Sequence, residues 1–465
     1  MKLPSYDEAK KRLNAKRKIV CFNDEIKSSI GSGKKYFLKT YGCQMNERDS
    51  ESLKALTENL GFTRCDDYND ADLVILNTCS IRENAHNKAF GMIGRIKHLK
   101  ETKDVILGIT GCMPQEEAVA SKLLKEKAVD FVIGTHNINE LPNAIIKAFK
   151  GDKNINVYSF SEDIMENIPV KRESSFKAFV NIIYGCDKFC TYCIVPFTRG
   201  RERSRSKEDI LKEIKELVDA GYKEITLLGQ NVNAYGKDIY EDYTLANLLE
   251  EAALLKVPRL TFMTSHPWDF TDEMIDVIGK YPNIMPYVHL PLQSGSSKIL
   301  KRMNRRYTKE SYLELANKLK KRVPNLSLST DIIVGFPGET DEDFEETLEI
   351  VKELKYDGAF SFIYSPRENT PAAVFKDQVP EEVARRRLQI LNKELNKGFL
   401  ESNQKLLGKT LKVLVNDKGN KEGFLYGYTM QNKLVNFKGD DRLIGSIVDV
   451  EITEAKTWSL DGKLS

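Results

Sequence analysis

Short, continuously apolar runs alternate with amphipathic segments from residue 35 to Tyr364, and this alternation limits the fold more than any other feature of the chain. Runs apolar throughout suit strands buried on both faces, which belong to parallel sheets covered by helices. In the first stretch, strands are predicted at Tyr36–Thr40, Leu73–Asn77, Val105–Thr110 and Asp130–Gly134. Helices are predicted at 47–59, 81–99, 114–127 and 138–149. The reading is a doubly wound parallel sheet over 35–150. Residues 1–34 read as a polar extension and 151–173 as a linker. The alternation resumes over 172–402, with strands predicted at 177–183, 224–228, 259–264, 286–290, 326–334 and 359–364. Six β/α units predict a partial (β/α)6 barrel. Ser206/Asp209 and Thr340/Asp343 have the spacing of helix capping boxes. A helical stretch over 380–404 leads to a third region, 403–465, where the period changes. Leu411–Val415, Gly423–Met430, Lys433–Phe437 and Ile447–Thr453, broken by Gly, Asn and Asp, predict a small β-barrel.

No apolar run reaches the roughly 18 residues of a membrane span, and the charged N-terminus does not suit a secretory signal. The expectation is a cytoplasmic protein with no membrane partner. A net charge of +3 leaves any nucleic-acid site to local clustering. Eight cysteines in 465 residues are too few for a disulfide scaffold, so their placement matters more than their number.

Cys186, Cys190 and Cys193 form a C-x3-C-x2-C motif just after the first strand of the six-unit region. Three thiolates on one short loop can each ligate one iron of a 4Fe-4S cube and leave the fourth iron open. Zinc would want a fourth ligand, and no His or Cys lies within fifty residues downstream.

The motif at this position resembles the radical S-adenosylmethionine (SAM) superfamily. The resemblance implies that the open iron chelates SAM and that an electron from the cluster cleaves it to a carbon radical. Leu228-Gly-Gln-Asn231 and Asp331-Ile-Ile-Val-Gly-Phe-Pro-Gly-Glu339 stand at strand ends where that superfamily contacts SAM. It thereby implies Gly229, Gln230, Gly335 and Glu339 as cofactor-binding residues. Tyr364-Ser-Pro-Arg367 ends the sixth strand.

Cys43, Cys79 and Cys112 are far apart in sequence, yet each lies just past the predicted end of a strand. Parallel strands end at one edge, where ligands bind. Three thiols there suit a second cluster with an open iron; three separate buried thiols are the competing reading, and the equivalence of the three positions counts against it. Cys21 and Cys65 read as ordinary free thiols.

Two such sites followed by a small β-barrel resemble the methylthiotransferases. Cys43-Gln-Met-Asn-Glu-Arg-Asp-Ser-Glu51 and His289-Leu-Pro-Leu-Gln-Ser-Gly-Ser296 resemble the tRNA-acting members, and the barrel resembles a TRAM domain. The resemblance implies two 4Fe-4S clusters and SAM as cofactors. One SAM methylates sulfur at the Cys43/Cys79/Cys112 cluster, and another supplies the radical. The product is the 2-methylthio derivative of N6-isopentenyladenosine at position 37 of tRNAs reading codons that begin with U. The implied partners are the tRNA anticodon stem-loop, an electron donor such as flavodoxin or ferredoxin, and a sulfur source; a monomer is expected. Other methylthiotransferases act on threonylcarbamoyl-adenosine in tRNA or on an aspartate of a ribosomal protein. A zinc-containing RNA-binding protein without catalysis is the alternative of another class. No acid/base residue stands out as catalytic; His266 and His289 lie near strand ends and could line the site.

Arg199, Arg201, Arg203, Arg205 and Lys207 alternate with other residues. In an extended segment they would form a one-sided stripe roughly 25 Å long, suited to RNA phosphates. A solvated basic turn with carboxylate partners inside the protein is the competing reading. In the barrel, Phe424, Tyr426, Tyr428 and Phe437 could stack on bases or fill the core. From Lys409 onward nine basic residues face eight acidic ones, so charge does not decide the matter.

Overall fold

The first stretch of alternating segments folds as a parallel sheet with helices on both faces. The computed structural model describes residues 6–11, 18–22, 28–80, 83–157, 163–166 and 168–465. The chain divides into two units, one of residues 1–173, 183–189 and 193–205, the other of 174–182, 190–192 and 206–465.

The first unit opens with helix Tyr6–Lys11 and strand β1 (Lys18–Cys21). Then come β2 (Lys35–Tyr41), β3 (Thr63–Arg64), β4 (Leu73–Thr78), β5 (Ile106–Gly111), β6 (Phe131–Ile133), β7 (Asn154–Asn156) and β8 (Asp163–Glu166). Six of them form one sheet in the order β3-β2-β4-β5-β6-β7, every neighbour parallel. Leu73 and Ile75 on one face pack against Leu53, Leu56, Leu141 and Ile145, from helices Gln44–Glu58 and Leu141–Phe149. Val74 and Leu76 on the other pack against Ala89, Ile93, Ile96 and Leu123, from helices Glu83–Leu99 and Glu117–Lys125. Apolar residues on both parities of β4 are what a strand between two helix layers requires.

Two features differ from the sequence reading. The extension 1–34 carries β1, which pairs in parallel with β8 inside the stretch read as a linker. The sheet does not end at residue 150, because β7 supplies its sixth strand. Residues 183–189 and 193–205, which follow strand Lys177–Asn181, group with the first unit. Strands of two to four residues leave too little periodicity to be read from sequence.

In the second unit β9 (Lys177–Asn181), β10 (Glu224–Leu228) and β11 (Arg259–Phe262) pair in the order β11-β10-β9. β12 (Tyr287–His289), β13 (Ser327–Val334) and β14 (Gly358–Ile363) form a second parallel trio. A single bridge between Leu260 and Ile284 joins the two, giving the expected open (β/α)6 arrangement. Thr340 and Asp343 make a reciprocal capping box, and the Ser206 side chain accepts from the Asp209 N–H.

Helix Glu381–Gln404 leads into a closed five-stranded barrel. Its strands are β15 (Thr410–Lys418), β16 (Phe424–Thr429), β17 (Leu434–Lys438), β18 (Ile447–Ala455) and β19 (Leu460–Leu464), ordered β15-β16-β17-β19-β18. Val413, Val415, Leu425, Val435, Phe437, Val450, Ile452 and Leu460 fill it. Phe437 is therefore core, while Phe424, Tyr426 and Tyr428 lie half-buried on the opposite face of β16. The barrel is held to the β/α region by Arg259, whose side chain is buried. Its Nε donates to Glu224 Oε2 (2.8 Å), and its Nη1 and Nη2 donate to the carbonyls of Tyr428 (2.9 Å) and Thr429 (2.8 Å). The Lys177 ammonium lies 5.1 Å from the Tyr428 ring, so that ring is engaged inside the protein. Among the described residues no helix is long and apolar enough to cross a membrane.

Candidate functional site: two sets of cysteines

The strand order fixes where the first set of thiols meets. β3 lies on one side of β2 and β4 on the other, so the winding reverses between β2 and β4. Ligands of doubly wound sheets sit beyond the carboxyl ends of the strands at such a reversal. Cys43 follows β2, Cys79 follows β4 and Cys112 follows β5, three neighbouring strands.

Cys43 is the N-cap of helix Gln44–Glu58, and its Sγ donates to Asn46 Oδ1 at 3.3 Å. A hydrogen bond from Cys79 is the largest influence pulling its thiol down to about 5; Arg199 and the Asn46 and Met45 amides add to it against burial. Cys112 is fully buried, and burial pushes its thiol up to about 11 against the pull of Arg199. Asn46 Nδ2 donates to Asn77 Oδ1 (3.1 Å) and to the Thr78 carbonyl (3.2 Å). Asn77 Nδ2 donates to the Asn46 carbonyl (2.7 Å) and to Ser50 Oγ (2.8 Å). This buried polar net holds the ends of β2 and β4 to one helix turn.

The arginine series does not form an outward stripe. Val195–Thr198 is a short helix and Arg203–Ser204 pairs with Ile183–Tyr184, so the segment is not extended throughout. Arg199, Arg201, Arg203 and Arg205 are all buried. Arg199 Nε donates to Cys112 Sγ (3.1 Å) and its Nη2 to Asp49 Oδ2 (2.8 Å). Arg201 pairs with Asp187, and Arg203 Nη2 donates to the Arg199 carbonyl (3.2 Å). Arg199, Arg201 and Arg203 thus meet carboxylates, a carbonyl and a thiol.

Of the second set, Cys186 and Cys193 are half-buried in the first unit, and Cys190 is buried in the second. Within the second unit Arg305 Nη1 approaches Cys190 Sγ at 3.5 Å, and Arg305 Nε donates to the Tyr307 hydroxyl (2.9 Å). Gly229 and Gln230 follow the end of β10, as expected. Gly335 and Glu339 stand in the loop after β13. Gly335 has φ +70°, and a Cβ there would lie 2.6 Å from the Ala384 methyl. Glu339 Oε2 accepts from the Gly335 N–H (2.6 Å) and from Arg387 Nη1 (2.8 Å). Both residues lock the loop after β13 to helix Glu381–Gln404. Cys65 is half-buried, its Sγ near the Tyr36 and Asp67 carbonyls; the Cys21 side chain lies outside the described residues.

Among the described residues no three His, Cys, Asp or Glu side chains converge as one metal ion requires. A 4Fe-4S cube takes each thiolate on a separate iron, so its ligands stand further apart. Three thiols at adjacent strand ends, one with a lowered pKa and one beside a buried guanidinium, have the donor chemistry for such a group.

The uncharacterized protein family UPF0004 matches residues 35–134, the radical SAM superfamily 180–351 and the TRAM domain 404–465. The tRNA-2-methylthio-N(6)-dimethylallyladenosine synthase of Staphylococcus haemolyticus is 51% identical, over 99% of this chain and 91% of the relative. The protein of that description from Bacillus subtilis is 50% identical, over 99% and 92%. This chain belongs to the tRNA-2-methylthio-N(6)-dimethylallyladenosine synthase family. Among solved structures, the radical SAM methyltransferase TsrM of Kitasatospora setae shares the fold. Its TM-score is 0.55 at 14% identity, over 73% of this chain and 74% of that one. Sequence reasoning missed Asp49, Arg305 and the thiol contact of Arg199.

Proposed function

We propose that this chain is a tRNA methylthiotransferase that adds a methylthio group to C2 of N6-dimethylallyladenosine at position 37. The full-length identity of about half to synthases of that description carries the reading. Cys186, Cys190 and Cys193 would hold a SAM-binding 4Fe-4S cluster, with Gly229 and Gln230 beside the SAM. Cys43, Cys79 and Cys112 would hold a second cluster. When bound, these groups and SAM supply the one-electron chemistry and the methylthio sulfur that an unactivated aromatic C–H bond demands.

The chain's own residues bind, orient and shield. Arg305, buried and anchored to the Pro291 carbonyl and Tyr307, holds a cation on Cys190. On β14, Ser361 Oγ donates to Asn392 of helix Glu381–Gln404, which turns Phe360 and Phe362 to the opposite, inner face. They are 56% and 47% exposed, an apolar surface suited to a flat base with a five-carbon substituent. The Phe360 ring lies 6.2 Å from the His289 ring. His289 is held by Ser329 Oγ (2.9 Å) and Asp331 (3.4 Å), so it is positioned rather than free to rotate.

The test is turnover of purified, anaerobically reconstituted protein with SAM, a reductant and tRNA carrying dimethylallyladenosine. Mass spectrometry of the digested tRNA is expected to show the methylthio product. Product from threonylcarbamoyl-adenosine tRNA instead, or from neither, would overturn the reading.

A further inference from the structure

Arg199 is a buried cation aimed at a sulfur. It sits six residues beyond Cys193, past the short helix Val195–Thr198, and its exposure is 7%. The Thr135 hydroxyl donates to the Thr198 carbonyl (2.9 Å) and pins the end of that helix in the first unit. A guanidinium taken out of water needs anionic partners. Asp49 supplies one at 2.8 Å, and the other partner given by the geometry is Cys112 Sγ, 3.1 Å from Nε. A neutral thiol is a weak acceptor. A thiolate bound to iron is a strong one, and the bond becomes charge-assisted. The three thiols are not equivalent: Cys43 meets the Asn46 amide, whereas Cys112 meets a cation.

We propose that Arg199 is a positioning residue that raises the reduction potential of the cluster on Cys43, Cys79 and Cys112 through its hydrogen bond to Cys112, with Asp49 tempering its charge. The proposal rests on the two-cluster reading. Hydrogen bonds and positive charge at ligating sulfur stabilise the reduced, more negative state, and partners beyond the ligands also hold the metal.

The test uses the full chain carrying C186A/C190A/C193A, so that iron reports the other site alone. The potential is read by redox titration followed by electron paramagnetic resonance. In that background R199Q is expected to lower the midpoint potential and to lower iron affinity about 10- to 100-fold in chelator competition. D49N leaves the bond to Cys112 in place and removes the compensating charge, so its potential is expected to rise. R199K, with charge but no planar fork, falls between R199Q and the parent. A purely structural ion pair would change melting temperature without this pair of opposite shifts. An unchanged potential in both variants, or shifts of one sign, would overturn the proposal. Should R199Q fail to fold, the rise or its absence in D49N decides. If the parent background binds no iron, the two-cluster reading itself fails, before any Arg199 variant is made.

Discussion

Gly111 precedes Cys112, and replacing it with Ala tests whether the strand ends are built around that thiol. Its φ is +99°, a conformation costing an L side chain about 1–3 kcal/mol. A Cβ there would lie 2.3 Å from the Thr78 carbonyl oxygen, 2.5 Å from Asn77 Oδ1 and 2.8 Å from the Thr78 nitrogen. These atoms are backbone or are held in the polar net, so the clash adds about 1–3 kcal/mol of overpacking. The sum, about 2–6 kcal/mol, is a large share of the roughly 5–15 kcal/mol of a typical domain. Gly151 is the control: its φ is +87° and nothing lies within 4 Å of its Cβ position, so G151A carries the backbone cost alone. Hydrogen exchange of the β5 amides gives both free energies without relying on Trp268 and Trp458, which belong to the other unit. G111A is expected to lose more protection than G151A. It is also expected to lose iron, because the Cys112 N–H donates to the displaced Thr78 carbonyl at 2.8 Å. Equal protection in the two variants with full iron content would refute the reasoning.

Replacing Cys43, Cys79 and Cys112 together by Ala is expected to remove about half the iron of the brown, anaerobically purified protein, by analogy with one of two cubes; unchanged iron content would sink the second site. R259M strips Glu224 and two barrel carbonyls of their donor. It is expected to destabilise by about 3–5 kcal/mol and to speed proteolysis between residues 404 and 410; a resistant variant would contradict the docking role. F360A with F362A is expected to raise KM for the dimethylallyl tRNA by a factor matching about 1–3 kcal/mol of lost stacking, and an unchanged KM would place the base elsewhere. Burial pushes Glu339 up to about 6, against the amide of Gly335 and the charge of Arg387. A raised carboxyl stabilises below its unfolded pKa, near 4.5, and that stability, about 2 kcal/mol, is lost as pH rises through 6. E339Q is expected to flatten the dependence between those values, which pH-dependent melting would read.

The parts of this fold visible in the sequence were those with long periodic signals. β4 and β10 lie where their apolar runs end, and the capping box at Thr340 fixes its helix start. Strands β3, β7 and β8 are too short to carry a pattern. The cysteines were legible because three thiols at equivalent strand ends need only the parallel topology to meet at one edge. The arginine series stays open in the sequence because spacing alone does not tell an outward stripe from an inward one. Asp49 decides the matter from a helix whose buried side is unusually polar, with Asn46, Arg48, Ser50, Glu51, Ser52 and Lys54 all buried. A helix of such low hydropathy beside a cysteine was a signal for an internal polar net. Glu339 matched a family pattern in sequence, yet its partner Arg387 comes from a helix 48 residues away, beyond the reach of local spacing.

The central claim is that this chain carries out the methylthiolation of dimethylallyladenosine. The most direct measurement is mass spectrometry of tRNA nucleosides from cells lacking the gene, with and without the chain restored. The account predicts that the 2-methylthio nucleoside disappears, its unthiolated precursor accumulates, and the chain reverses both, whereas the variant lacking Cys43, Cys79 and Cys112 does not. An unchanged level of the 2-methylthio nucleoside in the deletion, or full restoration by that variant, would contradict it.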